Sequence, residues 1–227
     1  MNFLSHYYFD RHISDPERIM GMVLPDLIKN AKKEWSLRPE KAPERFEDNY
    51  RLQHLLAGWK RHLEVDKHFH SSDFFCRHTQ NIRAQISPFL VTSEVRPSFV
   101  AHISLELMLD SLLLTEDIIT TSRFYQFLAE TDRPALNRFL QLNMIADTEP
   151  FFRFLDEFIS SKYLNSYSEP GHITYAVGRI CMRIWPDPFT ETQKLQLTAV
   201  LLPYLEKLTT EFMQIFDEIE KRLTPYT

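Results

Sequence analysis

Glycine is nearly missing from this chain of 227 residues: Gly21, Gly58, Gly171 and Gly178 are all it has. An average protein holds about 7%. Sheet proteins use glycine in hairpin turns and bulges, so the scarcity disfavours β architecture. Cysteine is as sparse. Cys76 and Cys181 are too few for a disulfide framework and offer no metal-thiolate spacing, which points to a reducing compartment. No apolar run approaches the roughly 20 residues of a membrane helix. The opening Met1-Asn2-Phe3-Leu4-Ser5-His6 has no basic region followed by an apolar one, so no signal peptide is expected. A cytoplasmic protein without a membrane partner is the default. A glycine-rich phosphate loop, a Gly-x-Ser-x-Gly elbow and a Cys/His nucleophile pair are also missing.

Positive charge is in deficit, with 26 Lys/Arg against 31 Asp/Glu and a net charge of −5. That disfavours nucleic acid as the main partner. The imbalance is uneven: residues 18–67 hold 11 basic and 8 acidic side chains, a local +3. Such a segment on an acidic chain can steer an acidic partner, although a solvated face is the blander explanation.

What is abundant is apolar mass at helical spacing. Hydrophobic residues make up 44% of the chain, and runs such as Phe151, Phe152, Phe154, Leu155 and Phe158 follow a helical period. The pattern predicts a helix over 17–29 broken near Pro25, then a polar, proline-punctuated exposed connection over 30–48. A long helix over 49–69 follows, then one capped by Ser71 or Ser72 and ended at Pro88. Further helices are expected over 99–114, 117–130, 134–144, 149–164 and 172–184. A last one opens at the Thr190/Gln193 capping box and runs to Leu223, kinked at Pro203. The expectation is all-α: one helical-bundle domain over 1–227.

Some polar residues do not suit this pattern. The 99–114 helix is apolar nearly all round, yet His102, Glu106 and Asp110 recur at every fourth position and share one stripe. A buried carboxylate without a partner costs several kcal/mol, and a metal ion would remove that cost. The 49–69 helix carries a similar stripe: His54, Gly58, His62, Asp66 and, beyond its end, His70. Gly58 would let another group approach the backbone there. Imidazole and carboxylate are the donors of zinc, manganese and iron sites, and facing helices commonly build such sites in bundles. A lone His–Asp pair is more often a surface hydrogen bond; two stripes favour a metal. His54, His68 and His78 read as ordinary surface or core histidines, and His12 and His172 lie in polar contexts. Asp26 is a further carboxylate among apolar neighbours. Metal-assisted hydrolysis matches this inventory best.

The same residues resemble the acyl carrier protein phosphodiesterases, a group similar to the HD-type metal phosphohydrolases. Met1-Asn2-Phe3-Leu4-Ser5-His6 looks like that family's opening Met-Asn-Phe-Leu-Ala-His. Gly21-Met22-Val23-Leu24-Pro25-Asp26-Leu27 looks like its Gly-Asn-Leu-Leu-Ala-Asp-Phe. Gly58, His62 and Asp66 match its Gly-x-x-x-His-x-x-x-Asp spacing, and Ser104 to Asp110 resembles its Thr-Leu-Asp-Val-Met-Trp-Asp. The resemblance implies an HD-phosphohydrolase-like helical fold. It also implies a metal-dependent phosphodiesterase that removes 4′-phosphopantetheine from holo acyl carrier protein.

Carried over by position, His6, Asp26, His62, Asp66 and Asp110 would be site residues, with Glu106 at an equivalent carboxylate and His102 beside them. One or two ions, manganese or magnesium, would be held by His6, Asp26, His62, Asp66, His102 and Asp110. Asp26 or Glu106 would orient or deprotonate the attacking water, and Lys60 or Arg61 would neutralise charge on the phosphate. Lys29, Lys32 and Lys33 become docking residues for the acidic carrier protein. The chain departs from the family at Leu63 and Glu64, where arginines stand, at His70, where an acidic residue stands, and at Ser111, where a histidine stands. His70 and His102 are offered as compensating ligands. These departures keep open a nucleotide or other small phosphoester as substrate, or a carrier-protein binder without catalysis.

Overall fold

A computed structural model describes residues 1–223, and among them every regular element is helical. The helices are α1 (Phe3–Phe9), α2 (Pro16–Ala31), α3 (Tyr50–His70), α4 (Asp73–Ile86), α5 (Pro97–Thr115) and α6 (Thr121–Glu130). They continue as α7 (Arg133–Leu142), α8 (Glu149–Ser161), α9 (His172–Cys181), α10 (Glu191–Leu208) and α11 (Met213–Arg222). The chain divides into two compact units. One comprises Met1–Ser5, Lys67–Ile118 and Leu164 onward; the other comprises His6–Asp66 and Ile119–Tyr163.

In the first unit α5 packs against α4 and α9, and α10 against the same two helices. Its residues from Leu107 to Leu113 are all buried, as the all-round apolar sequence requires. Contrary to the sequence reading, α5 is long and apolar enough to cross a membrane by length and composition. However, 67% of that window is buried within the fold, which suits a core helix. Ser72 caps α4 by accepting from the Phe75 amide at 3.0 Å, and the Thr190/Gln193 capping box opens α10. The final helix is not continuous with a kink at Pro203. It stops at Leu208, where the hydroxyls of Thr209 and Thr210 donate to the carbonyls of Leu205 and Lys207, and resumes as α11.

In the second unit α2 packs on α6 and α8. It runs unbroken through Pro25, contrary to expectation. The lost backbone bond is outweighed by burial of Ile19 to Leu24, Leu27 and Ile28 on either side. The 30–48 connection is not wholly exposed: it forms two 3-10 turns, Pro39–Lys41 and Pro43–Phe46, and buries Leu37, Pro39 and Phe46. Phe46 stacks on Phe139 with centroids 4.9 Å apart.

Two of the four glycines have a shared purpose. A Cβ at Gly21 would overlap the carbonyl oxygen of Leu55, and one at Gly58 would overlap that of Arg18. The backbones of α2 and α3 therefore touch where these glycines meet. What approaches Gly58 is α2 itself.

Candidate metal centre

This contact builds the site. On the stripe of α3 that faces α2, the Nδ1 of buried His62 lies 2.8 Å from the carbonyl oxygen of Met22. Met22 is the neighbour of Gly21, so the glycine contact brings its carbonyl within reach. With Nδ1–H donated to Met22, His62 presents Nε2 as its free donor atom. This is how the outer hydrogen bond of a metal-binding histidine fixes its tautomer. One turn along α3, Asp66 Oδ2 stands 3.4 Å from that Nε2. Asp26 stands one turn beyond Met22 in α2 and lies close enough for its charge to act on His62.

His6 comes from α1. Its ring stacks on that of His62, with centroids 3.9 Å apart and planes 17° from parallel, and its Nε2 is 3.3 Å from Asp66 Oδ1. The ring is fully buried, yet neither nitrogen makes a hydrogen bond of proper geometry. Buried donor atoms without partners are unusual. The candidate donor atoms of His6, His62 and Asp66 all lie within 4.8 Å of one another. Ligands about 2.1 Å from a common ion stand roughly 3–3.5 Å apart, so the spacing fits a divalent metal.

His6 and Asp66 hold the protonation states that such a fit needs. Burial, then the neighbouring His62, push His6 down to about 3, so its ring is neutral and offers a lone pair. Burial would also lower His62, but the Asp26 and Asp66 carboxylates outweigh it and raise the group. Asp66 is driven well below the usual carboxylate range by its two imidazole neighbours, despite its own burial.

The remaining predicted ligands are in the other unit. His102 and Glu106 form a second cluster with His70. Nε2 of His102 is 2.9 Å from Glu106 Oε1, and Nε2 of His70 is 3.5 Å from the same oxygen. The amino group of Met1 is 3.1 Å from it as well. Burial would raise the Glu106 carboxyl, but that amino group and the two imidazoles hold it well below its ordinary value. The donor groups are thus His6, His62 and Asp66 in one unit, and His70, His102 and Glu106 in the other.

Asp110 is fully buried, and donors already occupy both of its oxygens. The Leu4 amide donates to Oδ2 at 3.1 Å, while the Ser5 amide and hydroxyl donate to Oδ1 at 2.7 and 2.6 Å. Burial pushes the carboxyl up to about 7 even against these donors. Expected as a ligand, Asp110 instead anchors the start of the chain.

Arg61, expected on the phosphate, is buried and paired with Glu64 at 2.7 Å and Asp10 at 3.9 Å. Asp10 in turn meets Arg18 at 3.4 Å. Lys60 is exposed, two residues from His62 and so on the opposite side of α3. Neither is placed to act at the His62 cluster. Lys29, Lys32 and Lys33 are exposed, as docking residues must be. Ser111 is buried and donates to the Tyr167 carbonyl at 2.7 Å, a packing role. His54 pairs with Asp15, and His78 is buried against Tyr204, so both are the ordinary histidines expected.

The α1 helix and the Asp10–Arg61 network escaped the sequence reading. A helix of seven residues carries little signal of its own, and an ion pair between residues 51 apart in the chain carries none. His70 was visible as the next member of the α3 stripe, but its pairing with α5 was not.

Fold and donor set together define an all-helical protein with a candidate divalent-metal centre. Comparison with family models, curated proteins and solved structures finds no match to this chain.

Proposed function

We propose that the chain is a metal-dependent phosphodiester hydrolase acting on holo acyl carrier protein, in a cytoplasmic setting. The observation that carries this reading is the His6–His62–Asp66 triangle, with Nδ1 of His62 committed to Met22. His6, His62 and Asp66 would hold the ion, with Asp26 beside them; manganese or magnesium is the proposed metal. A divalent ion bound there would supply a Lewis acid for the phosphoryl group and would make water more acidic.

The chain's own contribution is alignment and proton handling. Met22 holds the His62 ring in one tautomer, and Asp66 stays ionised between two imidazoles. Asp26, half-buried and close enough for its charge to act on His62, would accept a proton from water. Lys29, Lys32 and Lys33 supply positive charge for an acidic protein substrate. Glu64 favours a second reading, in which the substrate is a nucleotide or another small phosphoester. It neutralises Arg61 where the resembled family carries arginine, which removes a charge that a phosphate could use.

The test is mass spectrometry of holo acyl carrier protein incubated with this protein and manganese. Loss of the phosphopantetheine arm with the unmutated chain is expected. With Asp66→Ala the rate should fall by more than the roughly 10- to 100-fold typical of outer-shell changes. An intact carrier protein alongside cleavage of a small phosphodiester would support the second reading. No turnover of either, with metal bound, would leave a binding role.

A further inference from the structure

We infer that His70, His102 and Glu106 form a second site for a divalent transition metal of the zinc class. The three donor atoms lie within 4.8 Å of one another: Nε2 of His70 is 3.3 Å from Nε2 of His102, and both face Glu106 Oε1. These are the separations of ligands around one ion. Nitrogen donors of the two rings pointed at each other are poorly satisfied by hydrogen bonds alone. If each Nε2 carries its proton to Oε1, the two N–H groups crowd. If only one does, its single N–H is shared between Glu106 Oε1 and the lone pair of the other ring. A metal cation between them would take both ring lone pairs and the carboxylate oxygen at once, displacing the Met1 amino group that now lies 3.1 Å from that oxygen.

The cluster is also held from behind. Phe75 packs edge-on against both rings, with centroids 5.1 Å from His70 and 5.0 Å from His102. His102 and Glu106 are one turn apart on the buried helix α5, which fixes two of the three donors on a rigid element. Two imidazoles and a carboxylate favour zinc, cobalt or nickel over magnesium. His70 and His102 are 36% and 38% exposed, so the solvent side is left for water or an exogenous ligand. None of these residues belongs to the His6–His62–Asp66 set.

Metal-stripped full-length protein would be dialysed against zinc, with bound metal read by elemental analysis. The variants are His70→Ala, His70→Ala/His102→Ala and, separately, His62→Ala/Asp66→Ala. The double variant at the second cluster should lose one equivalent relative to the unmutated chain, and His70→Ala alone should weaken that equivalent at least about tenfold. Because His70 is exposed, the single variant is expected to fold, and circular dichroism checks it. Equal zinc content in the unmutated chain and both of these variants would overturn the inference, leaving a hydrogen-bonded His–Glu cluster only. If the His62→Ala/Asp66→Ala protein keeps one equivalent that His70→Ala removes, the second site stands whatever becomes of the first.

Discussion

At the scale of single residues, the structure separates candidate ligands from anchors that look alike in the sequence. Asp66 and Asp110 are both acidic residues on helical stripes, yet one faces two imidazoles and the other accepts three hydrogen bonds from Leu4 and Ser5. Asp110→Ala should leave those buried donors unmatched and lower stability by about 3 kcal/mol, read by urea denaturation. Its manganese or zinc content, measured on the folded fraction, should be unchanged. A variant that keeps its stability but loses metal would return Asp110 to the ligand set.

His78 carries a pH prediction. Burial lowers it to about 4, with Glu211 opposing and Arg77 and Lys207 adding to the effect. Nδ1 of His78 lies 2.8 Å from the Tyr204 hydroxyl. The folded state therefore resists a proton that the unfolded chain accepts below about 6.5. Its stabilising contribution is fully present above pH 6.5 and is lost as pH falls toward 4. Thermal melts of the unmutated chain should lose stability over that window. His78→Gln should flatten the slope, by on the order of 1 kcal/mol between pH 6.5 and 4.5. An identical slope in both proteins would rule His78 out as the cause.

At the scale of elements, the centre depends on how closely two helices approach. Gly21 and Gly58 let the α2 and α3 backbones touch, and that contact is what gives His62 its carbonyl partner in Met22. Either glycine replaced by alanine puts a methyl group into a backbone carbonyl, with no flexible side chain to yield. Gly58→Ala should cost about 2–4 kcal/mol, at or above the usual range for overpacking. It should also weaken metal binding, because the helices must separate and the His62–Met22 bond lengthens. Equilibrium dialysis of the folded variant checks this, and unchanged affinity would mean that the glycine contact serves packing alone. The helix boundaries were readable wherever caps mark them, as at Ser72 and at Thr190 with Gln193. They were misread where tertiary burial overrides local propensity, as at Pro25.

At the scale of the whole molecule, charge is the property that reaches a partner. The +3 of residues 18–67 sits on a chain of −5, and Lys29, Lys32 and Lys33 are its exposed members near the end of α2. If an acidic carrier protein docks there, Lys29→Glu/Lys32→Glu/Lys33→Glu should raise KM about tenfold or more with kcat nearly unchanged. The difference should shrink in high salt. A fall in kcat at constant KM would remove these lysines from docking.

Composition and periodicity were enough to determine that the chain is helical, that α5 is buried and that α3 and α5 carry metal-type donors, because those features repeat within a single helix. Partnership was beyond them. That His6 stacks on His62, that His70 joins His102 and Glu106, that Asp110 turns to Leu4 and Ser5, and that Arg61 is consumed by Asp10 and Glu64 all depend on which helix surfaces meet. Helical period fixes the face on which a side chain lies. Only the packing of one helix on another decides what that face meets, since the distances that matter join residues as much as 106 positions apart.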